Sequence, residues 1–274
     1  MALPWVLRSF RDGRLTTGWP VDRDFSFEDF PAAVTVDRTD GTAARRAELV
    51  TSGALETLCP AEALHAGDGD IRLDRGRCIL CGRCVEAAPD VFSWQAGSAT
   101  AGLTRQSLVV PNLPEDDAAI ADLRARLAAR VRRLRRSVHV RHVDAGSDGS
   151  DEWEVQALLN PVYDVHRLGI FFTASPRHAD ILLVTGIGAS GMVAPLLRTR
   201  EAMPEPVVVI AAGTDAVGGG LFRDGYSGGE GIGPLLDVDV WVPGSPPSPF
   251  SLLHGILLAL GRIRSTTPTT APAR

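Results

Sequence analysis

Four cysteines are the residues of this chain best equipped for chemistry. Three fall at Cys78-x2-Cys81-x2-Cys84, and the fourth, Cys59, stands before Pro60. Thiolates spaced two residues apart in a tight loop wrap one face of an iron–sulfur cube, and a remote cysteine closes its fourth corner. The same four could staple a zinc ion, although zinc sites are more often built from two separated C-x2-4-C pairs. Four cysteines among 274 residues are too sparse for a disulfide scaffold. The spacing therefore predicts one [4Fe–4S] cluster held by Cys59, Cys78, Cys81 and Cys84.

The segment Asp74-Arg-Gly-Arg-Cys-Ile-Leu-Cys-Gly-Arg-Cys-Val-Glu-Ala-Ala-Pro closely resembles the cluster loop of bacterial ferredoxins. That family uses a C-x2-C-x2-C-x3-C-P run twice, and the last cysteine of each run serves the other cluster. Aligned on this rule, the second run keeps Cys78, Cys81 and Cys84 but has Ala88 before Pro89. The first run has Leu49, Ser52 and Leu55 in place of its triplet, yet keeps Cys59 and Pro60. Cross-ligation then makes Cys59, Cys78, Cys81 and Cys84 one complete set. Leu49, Ser52, Leu55 and Ala88 leave the other set without a single thiolate. Random decay would rarely divide so cleanly. Arg77 and Arg83 flank the triplet and are expected to be solvated rather than to offset cluster charge.

The elements that must position these residues follow from composition and periodicity. At 45% hydrophobic the chain can bury real cores, and its length suits two compact units. Residues 1–30, rich in Arg, Phe and Trp without clear period, read as an irregular arm. Residues 31–110 contain short strand-like pieces between Gly-, Asp- and Cys-rich turns, a small ferredoxin-like α+β domain that needs an internal staple. Residues 111–140 read as an amphipathic linker helix. Ile120, Leu123, Leu127, Val131, Leu134 and Val138 make its apolar stripe, with Glu115, Asp116 and Asp117 in the first turn and arginines in the last. The arginine run over 124–136 is expected to be a solvated face. Over 141–264, short β-branched runs alternate with helices, which predicts a flavodoxin-like α/β domain with a mostly parallel sheet covered on both faces. Residues 265–274 have nothing to bury and are expected to be disordered.

Several functions are disfavoured at this level. A net charge of −5 makes no general electrostatic case for nucleic acid. The first residues mix Trp5 and Leu7 with Arg8, Arg11 and Arg14, so no secretory signal is expected. The uncharged stretch 241–261 is long enough to span a bilayer, but Pro243, Pro246, Pro247 and Pro249 break its first half. The expectation is a soluble, cytoplasmic chain without a membrane span.

Residues 137–262 resemble the small, electron-transferring subunit of membrane-associated [NiFe] hydrogenases, a family related to the 20 kDa subunit of respiratory complex I. The resemblance is carried by Val143-Asp-Ala-Gly-Ser, Glu152-Trp-Glu, Asn160-Pro-Val-Tyr-Asp-Val-His-Arg-Leu-Gly-Ile, Ser175-Pro-Arg-His-Ala-Asp, Glu201-Ala-Met-Pro-Glu-Pro and Val242-Pro-Gly-Ser-Pro-Pro. It implies a hydrogenase-like large subunit and further subunits as partners. It also implies a place on the cytoplasmic face of a membrane, reached through those partners.

The departures from that family are as informative. The family holds a [4Fe–4S] cluster on C-x2-C-E, Gly-Asp-Cys and Pro-Gly-Cys-Pro-Pro, and those cysteine positions read Asp148, Asp151, Asp215 and Ser245 here. Iron–sulfur clusters are held chiefly by thiolates, so this oxygen set implies a lost cluster. A vestigial site is the favoured reading; a divalent-cation site for Mg²⁺, Mn²⁺ or Ca²⁺ is the other. Carboxylates converging without a metal should raise at least one aspartate pKa. The expectation is a non-catalytic, one-electron iron–sulfur subunit of a hydrogenase-like or complex-I-like oxidoreductase, its α/β domain serving as a docking element. The alternative is a redox-sensing or assembly protein using the same cluster.

Overall fold

The computed structural model describes residues 3–67, 69–111, 117–132 and 137–263. The tail over 265–274, the acidic start of the linker helix at Glu115 and Asp116, and its end over 133–136 lie outside them.

The first unit is built from short strands. β1 (Pro31–Val36) pairs antiparallel with a strand that follows the cysteine triplet. Between them lie α3 (Ala43–Thr51) and α4 (Ala54–Leu58), then the hairpin of β2 (Leu64–Gly67) and β3 (Asp70–Asp74), and α5 (Arg83–Ala87). The partner of β1 is β4 (Phe92–Ala96), and β5 (Val109–Val110) pairs with β3. Inward residues of these pieces, Val34, Val36, Leu49, Leu55, Ile71, Leu73 and Phe92, form one small core. The cysteine loop wraps the end of that core between β3 and α5.

Residues 1–30 are not irregular throughout. They carry α1 (Leu3–Asp12) and α2 (Phe25–Glu28), the latter capped by Asp24, whose side chain accepts from the Ser26 and Phe27 amides. Trp19 is buried, stacked on Phe27 at 4.5 Å and edge-on to Phe250 at 6.0 Å. Aromatic burial ties the arm to a helix more than two hundred residues away. No local period encodes such a contact, which is why the pattern read as featureless.

The linker helix is α6 (Asp117–Val131), with Leu127 and Val131 buried. Its arginines are not all solvated: Arg130 pairs with the buried Asp239 at 2.7 Å, whereas Arg126 pairs along the surface with Asp122.

The second unit is a five-stranded, wholly parallel sheet of β6 (Val138–Asp144), β7 (Ile170–Phe172), β8 (Ile181–Thr185), β9 (Val208–Ala212) and β10 (Val240–Val242). The order β7-β6-β8-β9-β10 is the flavodoxin-like 2-1-3-4-5. β8, β9 and β10 are buried at every residue, as continuous apolar runs covered on both faces must be. The covering helices are α7 (Ser150–Ala157), α8 (Ser190–Glu201), α9 (Thr214–Gly218) and α10 (Pro249–Ala259). Every residue of α10 is buried, so the apolar half of the 241–261 stretch is a core helix. Ser248 caps it and Pro249 occupies its first turn. Among the described residues, no helix is long and apolar enough to cross a membrane.

Besides the Arg223–Glu62 ion pair, hydrogen bonds fasten the two units together at three places among the described residues. Gly102 pairs with Trp241 through both backbone hydrogen bonds (2.8 and 2.9 Å), extending the sheet edge at β10. Arg105 grips Asp74 at the end of β3 with two bonds (2.8 and 2.7 Å) and donates to the Val217 carbonyl of α9 at 3.1 Å. Gly76 lets this happen, because a Cβ there would lie 2.6 Å from the Arg105 guanidinium and 2.7 Å from Val217. The third contact is the Thr214 hydroxyl, which donates to the Cys78 carbonyl at 3.1 Å. Asp74 is buried, so Arg105→Ala leaves its charge with only the Gly76 amide and the more distant Arg77 at 3.8 Å. The expected cost is roughly 2–4 kcal/mol of stability, read as a lower denaturant midpoint.

Candidate iron–sulfur centre and the carboxylate site beside it

Cys59 ends α4 in extended backbone, Cys78 and Cys81 ride the loop that leads into α5, and Cys84 stands in its first turn. The loop turns sharply enough for this because Leu80 and Gly82 both take positive φ, 56° and 76°. All four cysteines are free of disulfides. The Cys59 sulfur accepts the Ala63 amide at 3.1 Å, and Cys78 and Cys84 accept the amides of Leu80 and Val85. Burial first, then the nearby Cys84, Cys59 and Cys81, push the Cys78 thiol up to about 12. Burial, Cys81 and Cys59 raise Cys84 in the same way. The fold thus makes Cys78 and Cys84 hard to ionise without compensating positive charge, and loading iron must release their protons. Backbone amides aimed at sulfur suit a cluster. Among the described residues, no three His, Cys, Asp or Glu side chains converge on a point as a single metal ion requires.

The positions aligned with the other ferredoxin cluster are filled by protein. Leu49, Leu55 and Ala88 are buried in the core of the first unit, and Ser52 donates to the Leu49 carbonyl at the end of α3.

The aspartates sit at the carboxyl ends of the parallel strands, the usual place for ligands in such sheets. Asp148 and Asp151 follow β6, Asp215 follows β9, and Ser245 follows β10. Asp151 is 4% exposed. Burial, then Asp215, Glu152, Asp148 and Asp144, push its carboxyl up to about 8. Burial, Asp148 and Glu152 push Asp215 up to about 6. Only a glycine fits against Asp151: a Cβ on Gly213 would meet its carboxylate oxygen at 2.0 Å. Asp148 behaves differently, its pKa lowered by the Ser150 hydroxyl and amide it accepts at 2.6 and 2.9 Å. Ser245 lines an apolar cavity of about 500 Å³ with Leu80, Trp94 and Phe250, and among the described residues no hydrogen bond joins it to the aspartates. The three aspartates bear on one another electrostatically, and Ser245 follows Gly244, whose carbonyl accepts the Thr214 amide at 2.7 Å beside Asp215.

Arg105, Thr214, Thr185 and His142 carried no sequence signal. Thr214 and Arg105 lock the cysteine loop to the second unit, and neither spacing nor type marked them. Glu152 accepts the hydroxyls of Ser147 (2.5 Å) and Thr185, while His142 lies 3.0 Å from the Thr185 hydroxyl, its pKa lowered by burial. Of the arginines near the triplet, Arg83 is exposed, and Arg77 lies within 3.8 Å of Asp74 and 3.9 Å of Glu62. The guanidinium buried beside Cys78 is that of Arg75.

Comparison with known proteins gives two family matches along the chain. Residues 149–259 match the family model described as NADH ubiquinone oxidoreductase, 20 Kd subunit, and residues 71–127 match a 4Fe-4S single cluster domain. The second match holds Cys78, Cys81 and Cys84 and stops short of Cys59. The chain is 38% identical over 156 residues to formate hydrogenlyase subunit 7 of Escherichia coli, covering 57% of this chain and 60% of that protein. It is 39% identical over 141 residues to the "Probable membrane-bound hydrogenase subunit mbhJ" of Pyrococcus furiosus, covering 52% of this chain and 84% of the relative. A chain of an archaeal membrane-bound sulfane sulfur reductase is 27% identical with a TM-score of 0.43, covering 48% of this chain and 72% of that one.

Proposed function

Because this chain belongs to the family of the 20 kDa subunit of NADH ubiquinone oxidoreductase, we propose that it is an electron-transfer subunit of a hydrogenase-like membrane assembly, carrying one [4Fe–4S] cluster on Cys59, Cys78, Cys81 and Cys84. The observation that carries this reading is the meeting of four free cysteines from two separate segments, with backbone amides donating to their sulfurs. When bound, such a cluster takes up and returns one electron. The surrounding residues hold the sulfurs in place, donate amide hydrogen bonds that ease the added charge, and exclude water from Cys78. The burial of Leu49, Leu55 and Ala88 in the first unit's core supports a single ferredoxin cluster.

The α/β domain then acts as a dock rather than a relay. Its aspartates cannot hold a cubane, and the Thr214 contact seats the Cys78 loop directly against them. Trp153, 73% exposed two residues beyond Asp151, and the exposed Leu221 and Phe222 offer apolar surface at the same end. A larger subunit covering that end would receive electrons from the N-terminal cluster directly. Membrane association would come through the assembly.

Two measurements follow. Stopped-flow mixing with a low-potential donor under anaerobic conditions is expected to give rapid, reversible one-electron reduction. A chain that reduces but cannot be reoxidised would contradict a carrier. Calorimetric titration with Ca²⁺ or Mn²⁺ is expected to show no heat that Asp148→Ala or Asp215→Ala abolishes. A saturable, aspartate-dependent heat would instead make the oxygen set a cation site.

A further inference from the structure

We propose that Arg75 is the counter-ion of the cluster held by Cys59, Cys78, Cys81 and Cys84, and that its charge decides how readily this cluster accepts an electron. The inference rests on the cluster assignment above. Arg75 lies in the turn after β3, and its carbonyl accepts the Cys78 amide at 3.3 Å. Its side chain turns inward, where one terminal nitrogen donates to the Gln95 side chain and Nε is buried without any hydrogen-bond partner. Among the described residues no carboxylate pairs with it. Cys78 is the ionisable group that bears on it, and metal loading is what turns that thiol into a thiolate.

The neighbouring arginines differ in this respect. Arg105 is neutralised by Asp74, Arg77 stands between Asp74 and Glu62, and Arg83 is in solvent. Burial lowers the Arg75 pKa to about 10, which still leaves it a cation at neutral pH. A buried cation without an anion is costly, so a fold that keeps one has a counter-charge for it. A cubane with four thiolates supplies that charge. Reduction adds one electron from a low-potential one-electron donor to the iron core and raises the net charge from two minus to three minus, with no bond broken and no proton required. A fixed cation beside Cys78 stabilises the more negative state more, so it favours reduction.

The test is a mediated dithionite titration of the anaerobic full-length protein, followed by EPR, in wild type, Arg75→Gln, Arg75→Lys and the exposed control Arg83→Gln. Arg75→Gln with full iron content is expected to shift the reduction equilibrium at least tenfold toward the oxidised form, 59 mV for a one-electron couple. Arg75→Lys should recover most of that shift, and Arg83→Gln should stay within twofold of wild type. Loss of iron from Arg75→Gln but not from Arg75→Lys would equally support a counter-ion. An iron-replete Arg75→Gln within twofold of wild type overturns the proposal, as does loss of iron from both variants. A wild-type protein without iron would sink the cluster assignment itself, and the inference with it.

Discussion

Cys59→Ser is expected to abolish the S = 1/2 signal of the reduced protein and to strip iron and sulfide from the chain or leave a partial, oxygen-labile remnant. Cys59 is the most telling of the four ligands, because it lies outside the segment that matches a single-cluster domain. Its place beside the triplet comes from the short α4 and from packing in the first unit's core. The same substitution should loosen residues 31–110, since a bound cluster contributes folding free energy that the small core cannot replace. The checks are metal and sulfide analysis, EPR, and protease resistance of the anaerobic protein. Retention of a full cluster in Cys59→Ser would mean that another residue closes the fourth corner.

Asp151→Asn is expected to stabilise the protein at neutral pH and to flatten its pH dependence. The unfolded carboxyl ionises near 3.9, whereas in the fold burial and the neighbouring carboxylates hold it protonated to about pH 8. The unfolded state therefore loses its proton first as pH rises. Stability is full below about pH 4 and falls across the window to about pH 8, by about 1.4 kcal/mol per pH unit for one such group. Asp215, raised to about 6, adds a fall of the same sign over a narrower window. Asparagine keeps the shape and removes the Asp151 contribution, so by pH 7 the variant should gain on the order of 3 kcal/mol. Denaturant midpoints of the two proteins at pH 5 and pH 7 give the difference in slope. Parallel slopes would mean that Asp151 is ionised in the fold and compensated by an unrecognised cation.

Much of this was legible in the sequence, and the divide is physical. β8, β9, β10 and α10 were readable because burial on all sides writes itself as an unbroken apolar run. The match to a 4Fe-4S domain was readable because a cubane dictates tight spacing; Cys59 rests on the cross-ligation rule and remains part of the proposal. The raised pKa of Asp151 followed from expecting carboxylates to converge there without a metal. Trp19, Arg105 and Thr214 were not readable, because each acts on a partner distant in sequence and leaves no local period. Arg75 was passed over for Arg77 and Arg83 for a related reason: sequence proximity to the triplet is similar for all three, and only the fold decides which side chain turns inward.

Iron and acid-labile sulfide per chain, measured on anaerobically purified protein together with EPR of the dithionite-reduced state, tests the central claim most directly. One cluster per chain predicts about four iron and four sulfide with a single S = 1/2 signal free of spin coupling. Eight iron with interacting signals, or stoichiometric zinc in place of iron, would contradict it.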